Sequence, residues 1–141
     1  MWKYDGKEFA SKDIEDYVGF VYVVTFKPDG RKYIGKKNFW SKKTLPPLKG
    51  KTRKRKIVKE SDWKTYCGSS EEIQRIVEKE EKGIDIFDRE ILHLCKSKGE
   101  MSYIENKEIY RKDALLREDY FNKFLGCKIH ASHVKSLWID S

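Results

Sequence analysis

Val18-Gly19-Phe20-Val21-Tyr22-Val23-Val24-Thr25-Phe26, then Lys27-Pro28-Asp29-Gly30, then Arg31-Lys32-Tyr33-Ile34-Gly35, is the stretch whose reading decides the fold. Apart from Gly19, residues 18 to 26 are all β-branched or aromatic, the composition of a strand that packs on a pleated surface. Pro28 and Gly30 then stand where a turn wants a fixed φ and a residue free of Cβ strain. The chain resumes as a short strand, so the segment predicts a β-hairpin. Tyr22 and Tyr33 are eleven residues apart across the turn, and antiparallel pairing can bring both phenols to one site. Two strand tyrosines are equally at home as packing residues, and the spacing alone leaves both readings open.

Working outward, regular periodicity disappears between about residues 36 and 60. Pro46-Pro47 and Gly50 interrupt it, and Lys51-Thr52-Arg53-Lys54-Arg55-Lys56 is a run of charge, which together predict a long basic loop with at most a helical piece. Ser69-Ser70-Glu71-Glu72 offers hydroxyl caps and first-turn acids, and Ile73, Ile76 and Val77 continue as a helical stripe that Gly83 stops. Residues 84 to 95 alternate partly and predict a third strand. Residues 100 to about 112 predict a helix. Residues 114 to 125 predict a second, with Leu115, Leu116, Tyr120 and Phe124 on its apolar side and Gly126 at its end. The expected fold is therefore a small α/β (α+β) domain: a three-stranded, largely antiparallel sheet flanked by helices, with the tyrosine hairpin at its centre. At 141 residues a single domain is expected, carrying the basic insert and a short tail at 126 to 141.

The net charge of +8 gains meaning once it is located. Residues 27 to 64 hold 15 Lys and Arg against three acids, a local net of +12, so the rest of the chain is acidic. One block carries the positive field, as a polyanion-binding face would. Phe39, Trp40, Trp63 and Tyr66 lie in or beside it, and aromatics among cations can stack on bases. Lys36, Lys37, Lys51, Arg53, Lys54 and Lys56, with Trp63 and Tyr66, are the candidate nucleic-acid contacts. No run approaches the ~18 to 20 apolar residues of a membrane span. The start lacks the apolar core of a secretory signal, which predicts a cytoplasmic protein. Three widely spaced cysteines, Cys67, Cys95 and Cys127, fit a reducing compartment with no disulfide. Cys127, His130 and His133 could supply three ligands of a zinc site, although a structural site needs a fourth.

Glu105 interrupts an apolar row formed by Met101, Ile109 and Leu116 on one helix face. A buried carboxylate must be paired, protonated or bound to a metal. The plainer alternative is a boundary glutamate reaching water beside Glu100 and Glu108.

Gly19-Phe20-Val21-Tyr22 followed by Tyr33-Ile34-Gly35 resembles the two-part signature of the GIY-YIG endonucleases, with the first element degenerate at Phe20 and Val21. Gly68-Ser69-Ser70 at a helix start, Lys82-Gly83 and the Phe87-to-Leu92 strand resemble the middle of that domain in phage homing endonucleases. Tyr103-Ile104-Glu105 and Tyr120-Phe121-Asn122 resemble the places of its metal-binding glutamate and late asparagine. The likeness covers roughly residues 17 to 125, and the basic, Trp-containing insert looks most like the Seg-type phage subgroup. The family usually sets an arginine, often with a histidine, on a helix soon after the Y-I-G element. Here that interval contains no histidine.

The resemblance implies metal-dependent hydrolysis of DNA phosphodiesters in the cytoplasm of a host cell. Tyr22 would accept or relay a proton from water, and Tyr33 would orient that water or the phosphate. Arg55, or Arg53, would hold the non-bridging oxygens. Glu105 would bind one Mg²⁺ (or Mn²⁺), and Asn122 would brace the site. A phenolate at Tyr22 would need neighbouring positive charge, which the lysines are expected to supply. Double-strand cleavage would require a homodimer or sequential nicks. The competing expectations are a non-catalytic nucleic-acid-binding domain, and a phage protein that binds and inhibits a host factor.

Overall fold

The structure is a computed structural model that describes residues 1–123 and 125. Its centre is β3 (Gly19–Phe26), which pairs antiparallel with β4 (Lys32–Asn38) on one side and with β7 (Phe87–Cys95) on the other. Phe20 through Tyr22 and Val24 are each essentially inaccessible, so β3 is buried on both faces, and this explains its unbroken apolar run. Two helices complete the frame: α1 (Glu71–Lys79), capped by the Ser70 hydroxyl, and α2 (Lys98–Arg111), capped by Ser97. One face of the sheet packs Trp2, Phe9, Phe20, Tyr22, Trp63 and Ile73; the other packs Val21, Ile34, Cys95, Met101 and Ile109. A Cβ at Gly19 would collide with Met101 of α2 and with the Lys37 carbonyl, so glycine is what lets α2 lie against this end of β3.

With β1 (Lys3–Tyr4) and β2 (Lys7–Glu8), the sheet has five strands, not three, in the order β2-β1-β7-β3-β4. Of these two additions, β1 runs parallel to β7. Asp5 and Gly6 both have positive φ, 51° and 79°, as a tight hairpin turn requires. Two-residue strands are too short to show alternation, and the Asp-Gly pair is their only local signal.

The basic insert is not a loop. β5 (Trp40–Leu45) and β6 (Arg55–Glu60) form a separate antiparallel ribbon of six residue pairs, from Trp40↔Glu60 to Leu45↔Arg55. The expected helix over 114 to 125 also fails to form: Ala114–Leu116 makes a single 3₁₀ turn, Glu118 and Asp119 form a turn, and Tyr120 then bridges to Lys32 in extended chain. Leu116, placed in the buried row, is 84% exposed, whereas Met101, Glu105 and Ile109 are buried. The extended segment has a different task. Lys32 N–H donates to the Asp119 carbonyl and Phe121 N–H to the Lys32 carbonyl, so residues 119 to 122 cover the open edge of β4. Among the described residues no helix is long and apolar enough to cross a membrane.

Trp63 is 1% exposed. Its indole N–H donates to Glu60 at 2.7 Å, and its carbonyl accepts from the Trp2 indole at 2.6 Å. It is therefore a core residue with no free ring face for a base. Trp63→Phe is expected to lower unfolding stability by about 1–3 kcal/mol, through lost packing and the lost indole donor, while duplex affinity stays unchanged. Urea melts and binding isotherms on the same preparation check this; weakened binding at unchanged stability would return Trp63 to the nucleic-acid surface.

Candidate active site

A cavity of about 610 Å³ opens between α1, α2, β4 and the extended segment, and Tyr22, Tyr33, Lys36, Arg75, Glu105 and Asn122 all contribute to its lining. The hairpin register puts the two tyrosines on one face of the sheet and Lys36 on the other. Tyr22 sits directly opposite Gly35 and Val21 opposite Lys36. A Cβ at Gly35 would overlap the Tyr22 hydroxyl and press on the Tyr33 ring, so glycine here is space for a phenol. The Tyr22 and Tyr33 rings lie 6.3 Å apart. Tyr22 also meets Tyr66 edge to face at 6.1 Å. Tyr66 is held from behind, because the buried Arg89 guanidinium donates to the carbonyls of Lys64 and Tyr66 at 2.8 and 2.9 Å.

Asn122 is 3% exposed and holds both backbone polar groups of one residue, its Oδ1 accepting from Ile34 N–H at 3.0 Å and its Nδ2 donating to Ile34 C=O at 2.8 Å. A side-chain amide thus takes the place of a neighbouring strand and fixes the residue between Tyr33 and Gly35. The Tyr33 hydroxyl shares a 2.8 Å hydrogen bond with the exposed Ser69 hydroxyl at the entrance to α1. Lys36 Nζ donates to Ser102 Oγ at 2.8 Å.

Glu105 projects from α2 into this cavity and is 7% exposed; its Oε1 is buried with no hydrogen-bond partner among the described residues. Burial raises its pKa above the ordinary carboxylate value, and only Lys36 opposes the shift. A carboxylate oxygen with an unused lone pair in a polar cavity suits a hard divalent cation, which takes oxygen ligands and keeps several waters.

The family model described as "Putative endonuclease segE, GIY-YIG domain" matches residues 2–125. The chain belongs to this GIY-YIG endonuclease family. Comparison with curated proteins and with solved structures finds no match. As a GIY-YIG endonuclease it is a phosphodiester hydrolase with a nucleic-acid substrate, on a mixed α+β frame.

Within this endonuclease the two phenols are electrostatically alike. Burial first, then the neighbouring tyrosines and Glu105, holds Tyr22 well above an ordinary phenol, and burial also raises Tyr33 despite its bond to Ser69. The lysines do not make a phenolate of Tyr22, contrary to the expectation from local composition. Lys37 lies over the Tyr66 ring at 4.1 Å and pairs with Asp62 at 2.6 Å.

Arg55 does not line the cavity. It opens β6 on the ribbon, exposed, with Nε 3.3 Å from the Pro46 carbonyl, and Arg53 lies in the ribbon's tip. Lys51, Lys54 and Lys56 are likewise exposed on the ribbon or its tip. The cavity's arginine is Arg75, on α1, loosely tied to Glu71 at 3.5 Å. A sequence signal for it exists: α1 is the first helix after Tyr33-Ile34-Gly35, and Arg75 is the only arginine on it. A separate trio, His93, Cys95 and Glu100, brings three donor atoms within 4.8 Å of one another outside the cavity lining. Glu100 there is already engaged, with His93 and with Lys96 N–H. Cys67 and Cys95 are free thiols, and Cys127, His130 and His133 lie outside the described residues.

Proposed function

We propose that this chain is a phage-type DNA endonuclease that hydrolyses one phosphodiester at a time in the cavity between α1 and α2, with a divalent cation, Mg²⁺ or Mn²⁺, held by Glu105. The observation that carries this reading is the buried, unpartnered Glu105 Oε1 in the same cavity as two hairpin tyrosines and one arginine. When bound, the cation would supply charge stabilisation for the leaving 3′ oxygen. The protein's own groups do the rest.

Both phenols stay neutral, so they work as hydrogen-bonding groups. Tyr22, inaccessible and braced by Tyr66, orients the attacking water. Tyr33 accepts a proton from that water as its own passes to Ser69 Oγ, and the exposed serine hands a proton on to solvent. In this relay the water O–H breaks, the new P–O bond forms as the P–O3′ bond breaks, the departing 3′ oxygen takes a proton from solvent, and no tyrosinate accumulates. Arg75 presents its fork of donors to the non-bridging oxygens, where charge grows in the transition state. Asn122 positions the Tyr33–Gly35 strand and touches no reacting atom.

Incubation of supercoiled plasmid with Mg²⁺, with and without chelator, tests the proposal. One chain carries one site, so nicked circles are expected first and linear DNA only later. Retention of DNA binding with no cleavage under any divalent metal would support the non-catalytic binding domain instead. Tyr33→Phe is expected to fold normally and lose about 10²-fold in turnover, the low end for a lost proton-transfer group, with affinity nearly unchanged. Ser69→Ala should lose less, since water can replace an exposed hydroxyl. Single-turnover rates at saturating protein measure both, and parental rates for Tyr33→Phe would make Tyr33 a packing residue.

A further inference from the structure

The β5–β6 ribbon hydrogen-bonds to no other strand, and almost every side chain along it is exposed on one face or the other. A two-stranded ribbon alone is marginally stable in water, and this one gains nothing by covering a core. Nine of the twenty residues from 40 to 59 are Lys or Arg and none is acidic. Among the described residues none of these nine is in an ion pair, whereas Lys37 and Lys64 beside the ribbon's base pair with Asp62 and Glu60. The register sets Lys42 and Lys56 on one face and Lys43, Arg55 and Lys59 on the other. Such a two-sided distribution suits an object with phosphates on both sides of the ribbon, as the walls of a groove have. At the far end Leu45-Pro46-Pro47-Leu48 puts an apolar tip among the cations, with Leu48 53% exposed.

The base, by contrast, is clamped. Phe39, between β4 and β5, is fully buried and stacks on Phe9 at 5.6 Å. Ser61 N–H donates to the Phe39 carbonyl at 2.8 Å, and Glu60 accepts from Ser11 and Trp63. The arm is thus a stiff continuation of β4, the strand that carries Tyr33 and Lys36. Seven residues separate Tyr33 from Trp40, at most ~23 Å of extended chain.

We infer that the ribbon is an arm that lies in the minor groove of duplex DNA, its cations on the phosphates of both strands and its Leu-Pro-Pro-Leu tip wedged at a base step, so that the protein bends the DNA it cuts. The inference rests on the DNA-substrate reading above. Apolar side chains inserted from the minor groove unstack a step and kink the duplex. The minor groove separates little beyond A·T from G·C, so binding by the arm should tolerate sequence and favour steps that deform easily.

The test uses the full chain in chelator, on an end-labelled duplex of about 30 base pairs, a length at which a kink changes the end-to-end distance measurably. Energy transfer between the labels at saturating protein is expected to rise for the parent. Leu48→Ser with Pro46→Ser should bind within about threefold of the parent and lose most of that rise. Lys43→Gln with Lys54→Gln and Lys56→Gln should instead bind more weakly, with the slope of log K against log salt shallower by about 0.9 for each phosphate no longer neutralised, and should bend normally once saturated. Binding by the parent without a distance change, or a tip variant that bends like the parent, overturns the arm. Failure of the parent to bind duplex at all would overturn the DNA reading on which it rests.

Discussion

Glu105→Gln is expected to lower metal-dependent cleavage by at least about 10³-fold, the loss anticipated when a site's preorganised charge stabilisation is removed, while leaving duplex affinity nearly intact. The reason is specific to the setting of the residue: Oε1 is buried, has no hydrogen-bond partner among the described residues, and faces the same cavity as Tyr22, Tyr33 and Arg75. Gln keeps the shape and removes the charge a cation needs. Stability gives a second and independent readout. Because burial raises the Glu105 pKa, the folded chain keeps a proton that the unfolded chain has already released over the range between the two values. Folding stability therefore falls as pH rises through that window, and the cost is fully present above the raised value. Glu105→Gln should melt a few degrees higher than the parent near pH 7, with the difference fading as pH drops toward the ordinary carboxylate value. Added Mg²⁺ should raise the parent's melting temperature and leave the variant's unchanged. The apparent Mg²⁺ affinity should also weaken as pH falls through the raised pKa, since proton and cation compete for one carboxylate. Normal nicking by the variant, or an equal Mg²⁺ shift in both proteins, would remove Glu105 from the cation site.

What the sequence discloses and what it conceals follow from where each segment buries its side chains. The hairpin is legible because β3 is apolar on both faces and its turn is marked by Pro28 and Gly30. α1 is legible from a hydroxyl cap followed by Ile73, Ile76 and Val77. The ribbon is hidden for the opposite reason. Trp40-Ser41-Lys42-Lys43-Thr44-Leu45 and its partner strand bury neither face, so no apolar alternation exists to read, and the charge run resembles a loop. The expected helix after Ala114 is lost to the uncovered edge of β4: Tyr120 bridges Lys32, Asn122 takes both polar groups of Ile34, and these edge contacts outweigh helical propensity. At the site, Tyr22, Tyr33, Glu105 and Asn122 can be named from sequence because each belongs to a motif at fixed spacing. Trp63 reads as a stacking residue because an indole beside lysines has the same composition whether it faces solvent or, as here, Phe9 and Phe39.

The arginine is the residue on which the two readings part, and the comparison of Arg75→Ala with Arg55→Ala separates them. Arg75 lines the cavity on α1, and its one ion pair among the described residues, to Glu71 at 3.5 Å with both side chains mostly exposed, is too weak to hold it away from a phosphate. A guanidinium that meets charge developing in the transition state should matter more for turnover than for binding. Arg75→Ala is therefore expected to lower the single-turnover rate by about 10²–10³-fold with affinity reduced only a few-fold. Arg55→Ala removes a charge at the outer end of β6, remote in the ribbon from any cavity residue. It should weaken binding by the share of one neutralised phosphate, flatten the salt dependence by about 0.9 in slope, and leave the rate of bound complexes unchanged. Arg75→Lys sharpens the comparison, since a point charge replaces the two-pronged donor: partial recovery of rate would indicate charge alone, and none would indicate that the fork geometry is required. If Arg55→Ala slows the bound complex and Arg75→Ala does not, the ribbon must fold the cations of its outer end over the cavity during the reaction, and the catalytic arginine belongs to the arm.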